Sequence, residues 1–237
     1  MGPRKAEYKD MSGLTPLKEY KSPHFDPKPL PVEFLVLHYT AQSLQGTLNI
    51  FLSDKPAVSC HLLIDRKGKV FEMVSCWEGI CHRAFHAGKS YWMDTEDPLK
   101  IWESFNNFSI GIELVNWNGN FYSYTEAQYQ SLFQVIHHLK TKYPQLKNPH
   151  RILGHEQVAG FRGKVDPGIQ FNWKRLFQEV YNGTPVPERT SQLSENKIKH
   201  LTPLLRKPLN DEKAKKLNLL LESSAPFWWK KLKLKFL

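Results

Sequence analysis

Histidine is the residue type in this sequence that points most directly to chemistry, because the chain contains ten of them. His38 lies at the end of an apolar run of strand length, where a polar ring has no packing role, and His155 follows the short run 152–154. Asp166 comes eleven residues after His155. Functional side chains often lie where strands lead into loops, and two imidazoles with one carboxylate are a usual ligand set for catalytic zinc. Spacing alone leaves another interpretation open, because Asp-Pro-Gly at 166–168 is also a turn signature.

Other segments that resemble catalytic motifs lack a required residue. Residues 88–90 (Gly-Lys-Ser) resemble the end of a phosphate-binding loop, but Arg83 stands where that loop needs its first glycine. His155 and the glutamate after it resemble the start of a zinc-protease helix, but the second histidine would fall at Ala159. There is no Gly-x-Ser-x-Gly nucleophile elbow. Histidine-based chemistry is therefore the main candidate.

Apolar runs and helical periodicities alternate along the chain and indicate the elements that hold these side chains. The first strand is apolar almost throughout, as expected for a central strand covered on both faces. Strands are predicted at 32–39, 58–65, 69–74, 108–115 and 150–154. Helices are predicted at 44–52, from a capping box at Thr125 to Pro144, and at 171–181, with a long loop region at 76–107. Strands interspersed with helices predict an α/β domain with a mixed sheet.

The two ends of the chain differ from this body in composition. Residues 1–31 are rich in Lys and Pro and are predicted to form an extended lead-in with little regular structure. Residues 183–237 begin like a linker and carry 12 Lys and Arg against 5 Asp and Glu, which is +7 of the net charge of +10. We therefore predict a lead-in (1–31), a body (32–182) and a basic C-terminal extension (183–237). Because the body is nearly neutral, no nucleic-acid partner is predicted.

Composition also bears on the compartment. The first ten residues are polar and charged and lack the apolar region of a secretory signal. No run approaches 18 consecutive apolar residues. Three cysteines cannot form a complete disulfide framework, which favours a reducing compartment. These features predict a cytoplasmic protein.

Six blocks between residues 33 and 176 match one known family in the same order. The blocks are Val36-Leu-His-Tyr-Thr-Ala41, Val58-Ser-Cys-His-Leu-Leu-Ile-Asp-Arg-Lys-Gly68, Ala84-Phe-His-Ala-Gly88, Asn107-Phe-Ser-Ile-Gly-Ile-Glu-Leu114, Tyr124-Thr-Glu-Ala-Gln-Tyr129, and Gly154-His-Glu followed by Gly163-Lys-Val-Asp-Pro-Gly168. In these blocks the chain resembles the zinc-dependent N-acetylmuramoyl-L-alanine amidases of the bacterial amidase/peptidoglycan-recognition-protein superfamily. Six collinear blocks are a far more specific signal than any one of them.

The resemblance implies both a fold and a metal site. The family fold is a central mixed β-sheet flanked by helices, with a zinc cleft at the strand ends. His38, His155 and Asp166 match the family's ligands for one zinc ion. An aspartate as third ligand is typical of the bacterial enzymes, whereas the animal recognition proteins more usually carry cysteine there.

The same blocks imply roles for four other residues. Glu113 matches the acidic residue assigned as general base, which would take a proton from water and pass it to the leaving amine. Lys164 matches the lysine thought to stabilise the oxyanion. His61 and His86 are predicted to line the cleft and bind substrate; the alternative is that they are satisfied structural histidines.

The family activity is zinc-dependent hydrolysis of the amide bond between the lactyl group of N-acetylmuramic acid and L-alanine. Peptidoglycan fragments (muropeptides) would be the substrates. The alternative is a non-catalytic peptidoglycan-binding module with the same fold, although the chain keeps all five ligand and catalytic positions. Cytoplasmic members recycle anhydro-muropeptides, but residues 38–41 look more like envelope-side members, so the cell envelope or periplasm is the alternative location.

The end of the C-terminal extension has its own pattern. Trp228 and Trp229 precede lysines that alternate with apolar residues at a period of two. Interface-seeking aromatics beside cations fit an anionic membrane surface. The alternatives are that the aromatics dock on the body or that the segment is disordered, and docking is the preferred prediction because a period of two gives no amphipathic helix.

Overall fold

A five-stranded mixed β-sheet forms the centre of the computed structural model, which describes residues 14–97, 99–187 and 192. Its strands, from one edge to the other, are β4 (Val70–Glu72), β3 (Leu62–Ile64), β8 (Ser109–Leu114), β2 (Phe34–Tyr39) and β9 (Ile152–Gly154). The β3–β4 pair is antiparallel and the other neighbours are parallel. The sequence predicted all five strands, and the α/β class with a mixed sheet is confirmed.

Helices flank this sheet. They are α1 (Leu44–Leu52), α2 (Glu126–Lys142), α3 (His155–Ala159) and α4 (Trp173–Val180). Three of them match predicted helices. The sequence did not predict α3, because five residues offer too few positions for a helical periodicity to appear.

The side chains of β2 alternate between two buried faces. Its odd-numbered leucines pack with residues of α2 and α4, whereas Phe34 and Val36 pack on the opposite face with Trp92 and Phe105. Since successive side chains of a strand point to opposite faces, His38 continues the face of Phe34 and Val36. Strand alternation therefore places His38 away from α2 and α4, at the carboxyl end of its strand.

The segment 76–107, predicted as a long loop, contains three short strands. These are β5 (His82–Ala84), β6 (Tyr91–Met93) and β7 (Ile101–Glu103), and β6 pairs antiparallel with β7. β5 pairs antiparallel with β1 (Phe25–Pro29), which belongs to the segment predicted to have little regular structure. Strands of three residues are too short to show the alternation that would predict them, and two prolines mask the pattern in β1.

The ends of the chain are described only in part. Residues 17–22 run along the sheet edge, where the Leu17 amide donates to the Val70 carbonyl at 2.9 Å. Beyond residue 187 the structure describes only Gln192, so the tryptophan–lysine segment and the predictions about it lie outside the described residues. Within the described ranges, no helix is both long enough and apolar enough to cross a membrane.

The predicted capping box at the start of α2 is confirmed and gives a stability prediction. The Thr125 hydroxyl accepts from the Gln128 amide at 3.1 Å, and the Gln128 side-chain oxygen accepts from the Thr125 amide at 3.1 Å. Thr125→Ala is expected to lower the free energy of unfolding by about 1 kcal/mol, because the Gln128 amide loses the hydroxyl that accepts from it. Thr141→Ala, near the exposed end of the same helix, is the control and should cost much less. The measurement is urea unfolding, and an equal loss of unfolding free energy in Thr125→Ala and Thr141→Ala would contradict this role of the capping box.

Candidate metal centre and catalytic site

Three buried side chains from different parts of the chain converge at one end of the sheet. His38 lies near the end of β2, His155 is the first residue of α3 directly after β9, and Asp166 lies in the loop that follows α3. The Nδ1 atoms of the two histidines are 3.0 Å apart, and Asp166 Oδ2 lies 3.0 Å from His38 Nδ1 and 2.9 Å from His155 Nδ1. These three atoms form a group that could hold a metal ion. They are the residues predicted as ligands.

The outer nitrogens of the two rings have hydrogen-bond partners of their own. His155 Nε2 lies 3.3 Å from the Ala87 carbonyl oxygen, which can only accept, so Nε2 carries the proton. His86 Nε2 lies 3.3 Å from the Ser109 carbonyl oxygen and carries a proton for the same reason. The neutral ring of His86 therefore accepts at Nδ1, and His38 Nε2, 3.0 Å away, donates to it. With the outer nitrogens partnered in this way, Nδ1 of both rings is the nitrogen that faces Asp166.

This arrangement fits a divalent cation. Two imidazole nitrogens and a carboxylate oxygen face one another at about 3 Å, so that a cation between them could be bound by all three. The combination of two neutral imidazoles and one carboxylate is a usual protein ligand set of catalytic zinc, with a further position left for water or substrate. Hydrogen bonds from the outer ring nitrogens to carbonyls and other acceptors are also typical of metal-binding histidines.

Burial and neighbouring charge favour the protonation states that metal binding needs. Burial lowers the pKa of His155 to about 4, although the Asp166 carboxylate opposes the shift. Burial alone would raise the pKa of Asp166, but the neighbouring His155 and His38 hold that pKa well below its usual range. At neutral pH the site therefore presents a neutral imidazole and an ionised carboxylate, which are the forms that bind metals.

Glu113 lies beside this group without a hydrogen-bond partner for one of its oxygens. It is paired with His38 across the parallel β2–β8 ladder, so both side chains emerge from the same face of the sheet. Among the described residues, no group is within hydrogen-bonding distance of its buried Oε2 atom. Burial raises the pKa of Glu113 to about 7, while the charge of His38 opposes that rise. A carboxyl group with this pKa can both accept and donate a proton near neutral pH.

Lys164 lies on the same loop as Asp166, and its side chain is partly exposed. The charge of Lys164 affects the pKa values of two groups in the site. Burial raises the pKa of Glu113 and lowers that of His155, and the Lys164 ammonium lowers both. A cation at this position is placed to act on negative charge that forms beside the ligand group.

The two histidines predicted to bind substrate have different surroundings. His61 is fully buried; its Nδ1 accepts from the Gly111 amide at 2.9 Å and its Nε2 donates to the His82 carbonyl at 2.8 Å. Burial lowers the pKa of His61 to about 4, so the ring is neutral and both nitrogens are occupied. This geometry favours the structural alternative for His61. His86 lies behind His38 and is partly exposed, and its role toward substrate stays a prediction.

The strand position that makes room for His86 was not recognised from the sequence. A Cβ atom on Gly111 would overlap the His86 ring. A glycine within a strand is a known sign that another group approaches the backbone closely. That signal was present in the Ser-Ile-Gly-Ile-Glu run of β8, but the sequence could not show which group approached.

Taken together, these residues have the parts required for hydrolysis of an amide. The ligand group can hold a Lewis-acidic cation, Glu113 can exchange a proton, and Lys164 supplies a nearby positive charge. The five residues come from one strand pair, from the first residue of α3 and from the loop that follows it, all at the same end of the sheet.

Comparison with known proteins agrees with this geometry. The model of a family described as N-acetylmuramoyl-L-alanine amidase matches residues 28–169, a range that contains all five residues. The 1,6-anhydro-N-acetylmuramyl-L-alanine amidase AmpD of Haemophilus influenzae is 33% identical over 187 residues, covering 70% of this chain and 94% of that protein.

Two solved structures show the same fold. The crystal structure of a selenomethionine derivative of AmpD superposes with a TM-score of 0.56 at 31% identity, covering 72% of this chain and 98% of that one. The second is the amidase AmiD from Escherichia coli in complex with the substrate anhydro-N-acetylmuramic acid-L-Ala-D-γ-Glu-L-Lys. It superposes with a TM-score of 0.52 at 25% identity, covering 81% of this chain and 79% of AmiD.

Proposed function

Because the chain belongs to the N-acetylmuramoyl-L-alanine amidase family, we propose that it hydrolyses its substrate with one zinc ion held by His38, His155 and Asp166. The bond cleaved is the amide between the lactyl group of N-acetylmuramic acid and L-alanine, and the substrates are peptidoglycan fragments. The observation that carries the proposal is the convergence of three potential ligand atoms beside Glu113, a buried carboxyl group with a free oxygen.

Glu113 is the proton carrier in this proposal. Lewis-acid activation of water and of the substrate carbonyl is the chemistry that zinc supplies when bound. Glu113 takes a proton from the attacking water, and its free Oε2 is the atom that accepts it. It then gives this proton to the nitrogen of L-alanine, so that the leaving group departs as a neutral amine. A carboxyl group whose pKa lies near 7 suits both steps.

Lys164 stabilises the negative charge that develops on the carbonyl oxygen during attack. This role is supported by the effect of its ammonium on the site, where it lowers the pKa of Glu113 and of His155. A preorganised donor of this kind is worth a few kcal/mol in the transition state. The same charge favours the ionised form of Glu113 before the reaction begins.

The alternative of a non-catalytic binding module is disfavoured by the position of Glu113. A module that only binds peptidoglycan has no use for a buried carboxyl group with an unpaired oxygen, because such burial costs free energy. Relatives named as amidases are consistent with retained catalysis.

We further propose that the substrates include muropeptides with a 1,6-anhydro sugar, since the name of the AmpD relative specifies that sugar and the substrate in the AmiD complex carries an anhydro-N-acetylmuramic acid. The test is release of free peptide by the zinc-loaded protein from matched anhydro and reducing-end muropeptides, measured by chromatography. Faster cleavage of the anhydro form is expected, and it would support a cytoplasmic recycling role. Equal rates would favour the envelope alternative, and no release of peptide from either substrate would contradict the amidase proposal.

We also propose that residues 32–182 carry the chemistry and that the C-terminal extension does not. Gln192 contacts the body, donating to the Tyr91 carbonyl at 3.0 Å and accepting from the Phe161 amide at 3.0 Å. Truncation after Asn182 is therefore expected to lower stability by about 0.5–1.5 kcal/mol for each lost hydrogen bond, while zinc content and cleavage are kept.

The measurements are thermal unfolding, zinc content and muropeptide cleavage, with sedimentation on anionic liposomes to test the membrane hypothesis for the extension. Loss of liposome binding with intact cleavage would support that hypothesis. A truncated protein that folds and binds zinc but cannot cleave would show that the extension takes part in the chemistry.

A further inference from the structure

The carbonyl oxygen of Ala87 accepts from two side chains at once. His155 Nε2 lies 3.3 Å from it, and Arg162 Nη1 lies 3.1 Å from it. The same Nη1 atom donates to the Lys89 carbonyl at 3.0 Å. The guanidinium group of Arg162 therefore bridges two carbonyls of the 87–89 segment, one of which orients a ligand of the metal centre.

The position of the Ala87 peptide depends on contacts made by side chains. Its amide donates to Asn106 Oδ1 at 2.7 Å, so one side of this residue is held by Asn106 and the other by Arg162. The residue lies between β5 and β6, outside any strand ladder. Removal of Arg162 would therefore leave the carbonyl held by the longer His155 contact alone.

Gly88 provides the space for this bridge. Its φ of +57° lies in the left-handed region that favours glycine. A Cβ atom at this position would lie 2.5 Å from Arg162 Nη1. The backbone of the segment is thus shaped around the guanidinium, and a side chain at Gly88 would displace it.

Arg162 is also linked to the ligands through the chain. It lies between His155 and Asp166, on the 155–166 segment that supplies two of the three ligands. By bonding to the 87–89 segment, it ties this ligand-bearing segment to the carbonyl that fixes the His155 ring. Partners that hold the outer nitrogen of a metal-binding histidine set which ring nitrogen faces the metal.

We propose that Arg162 is a positioning residue for the metal centre: it holds the Ala87 carbonyl where His155 Nε2 donates to it, so that His155 Nδ1 faces the other two ligand atoms. The inference rests on the proposed function, because it takes His155 to be a zinc ligand. Arg162 touches neither the substrate nor the metal in this account and acts only through Ala87.

The test compares metal binding in variants of the full-length protein. Arg162→Met removes the donors and keeps the length of the side chain, whereas Arg162→Lys keeps a donor. Arg66→Met is the matched control, because Arg66 also donates to a backbone carbonyl, that of Ser123 at 3.3 Å, but at a site remote from the ligands. Zinc affinity is measured by competition with a chelator, and cobalt(II) absorption spectra report ligand geometry independently of activity. Thermal unfolding of the metal-free proteins measures any general loss of stability.

The expected result is that Arg162→Met weakens zinc binding about tenfold, at the lower end of the range for outer partners of metal ligands, and alters the cobalt spectrum. Arg162→Lys should recover part of the affinity, and Arg66→Met should bind zinc like the wild type. Gly88→Ala, which displaces the guanidinium without removing its charge, should weaken binding in the same direction and serves as the test if Arg162→Met does not fold.

Two outcomes would overturn the inference. One is wild-type zinc affinity and an unchanged cobalt spectrum in Arg162→Met, or in Gly88→Ala if that variant must replace it. The other is an equal loss of affinity in Arg66→Met, which would mean that Arg162 contributes only general stability. Failure of the wild-type protein itself to bind zinc would instead contradict the proposed function.

Discussion

Replacing Asp166 with alanine is expected to abolish zinc binding and, with it, muropeptide cleavage. The substitution removes the one carboxylate of the ligand group, whose Oδ2 faces both Nδ1 atoms at about 3 Å. Loss of even an outer partner of a metal ligand costs 10–100-fold in affinity, so loss of the ligand itself should cost more than about a hundredfold. His38→Ala should act in the same way, because its ring supplies the ligand atom from β2.

Metal content and zinc-dependent thermal stability measure this effect. A metal bound only by the folded state raises stability by about 2.7 kcal/mol at a hundredfold excess over its Kd, so added zinc should raise the unfolding temperature of the wild type but not of Asp166→Ala. The control is Asp94→Ala. Asp94 is also buried, accepts from Trp102 Nε1 at 2.9 Å and lies outside the ligand group. The Asp94→Ala variant should have a lower unfolding temperature than the wild type, and added zinc should still raise that temperature. A normal zinc response in Asp166→Ala would contradict the ligand assignment.

Glu113→Gln is expected to keep zinc and lose turnover, with kcat lower by about 10²–10⁴-fold. Glutamine has nearly the same shape as glutamate but cannot take the proton from water. The ligand group does not include Glu113, so the metal should remain. Single-turnover cleavage and metal content, measured on the same sample, separate the two effects. Near-normal turnover in this variant would show that another group is the base.

The pH dependence gives a second test of the same residue. Because Glu113 must be ionised to accept a proton, kcat/KM should rise with pH through its pKa. Burial raises the pKa of Glu113 to about 7, and a cation bound beside Glu113 would lower this pKa. The rise of kcat/KM should therefore lie at or below pH 7, and it should disappear in Glu113→Gln.

A matched control uses the buried Glu72. Its carboxylate accepts from the amides of Cys76 and Trp77 at 2.9 Å and pairs with Lys21, far along the sheet from the ligands. Glu72→Gln should therefore lower the free energy of unfolding without changing zinc content or the pH profile. Equal loss of turnover in both glutamine variants would show that burial of a carboxylate, and not its position, determines the effect.

Much of this protein can be predicted from local features of its sequence. The apolar run that forms β2, the capping box of α2 and the residues at strand ends are short-range patterns, and each appears in the structure at the predicted place. Carboxyl ends of parallel strands meet at one edge of a sheet, so His38 and His155 could be expected to lie close together. Collinear sequence blocks then identified the family, which the comparisons confirm.

Other features depended on contacts between residues far apart in the chain. The short strands of segment 76–107 are held by partners that a three-residue pattern cannot specify. The free oxygen of Glu113 and its raised pKa arise from burial against elements distant in sequence. The structural character of His61 follows from two backbone groups that only the folded chain brings to its ring.

The distinction has a physical basis. Which residues lie on one strand face or begin a helix is decided within a few residues, by alternation and capping, and the sequence alone determined it for this protein. Which nitrogen of His38 or His155 carries a proton is decided by acceptors 48 and 68 residues away in the chain, on His86 and on the Ala87 carbonyl. Only the tertiary structure places those partners, and they leave Nδ1 of both rings facing Asp166.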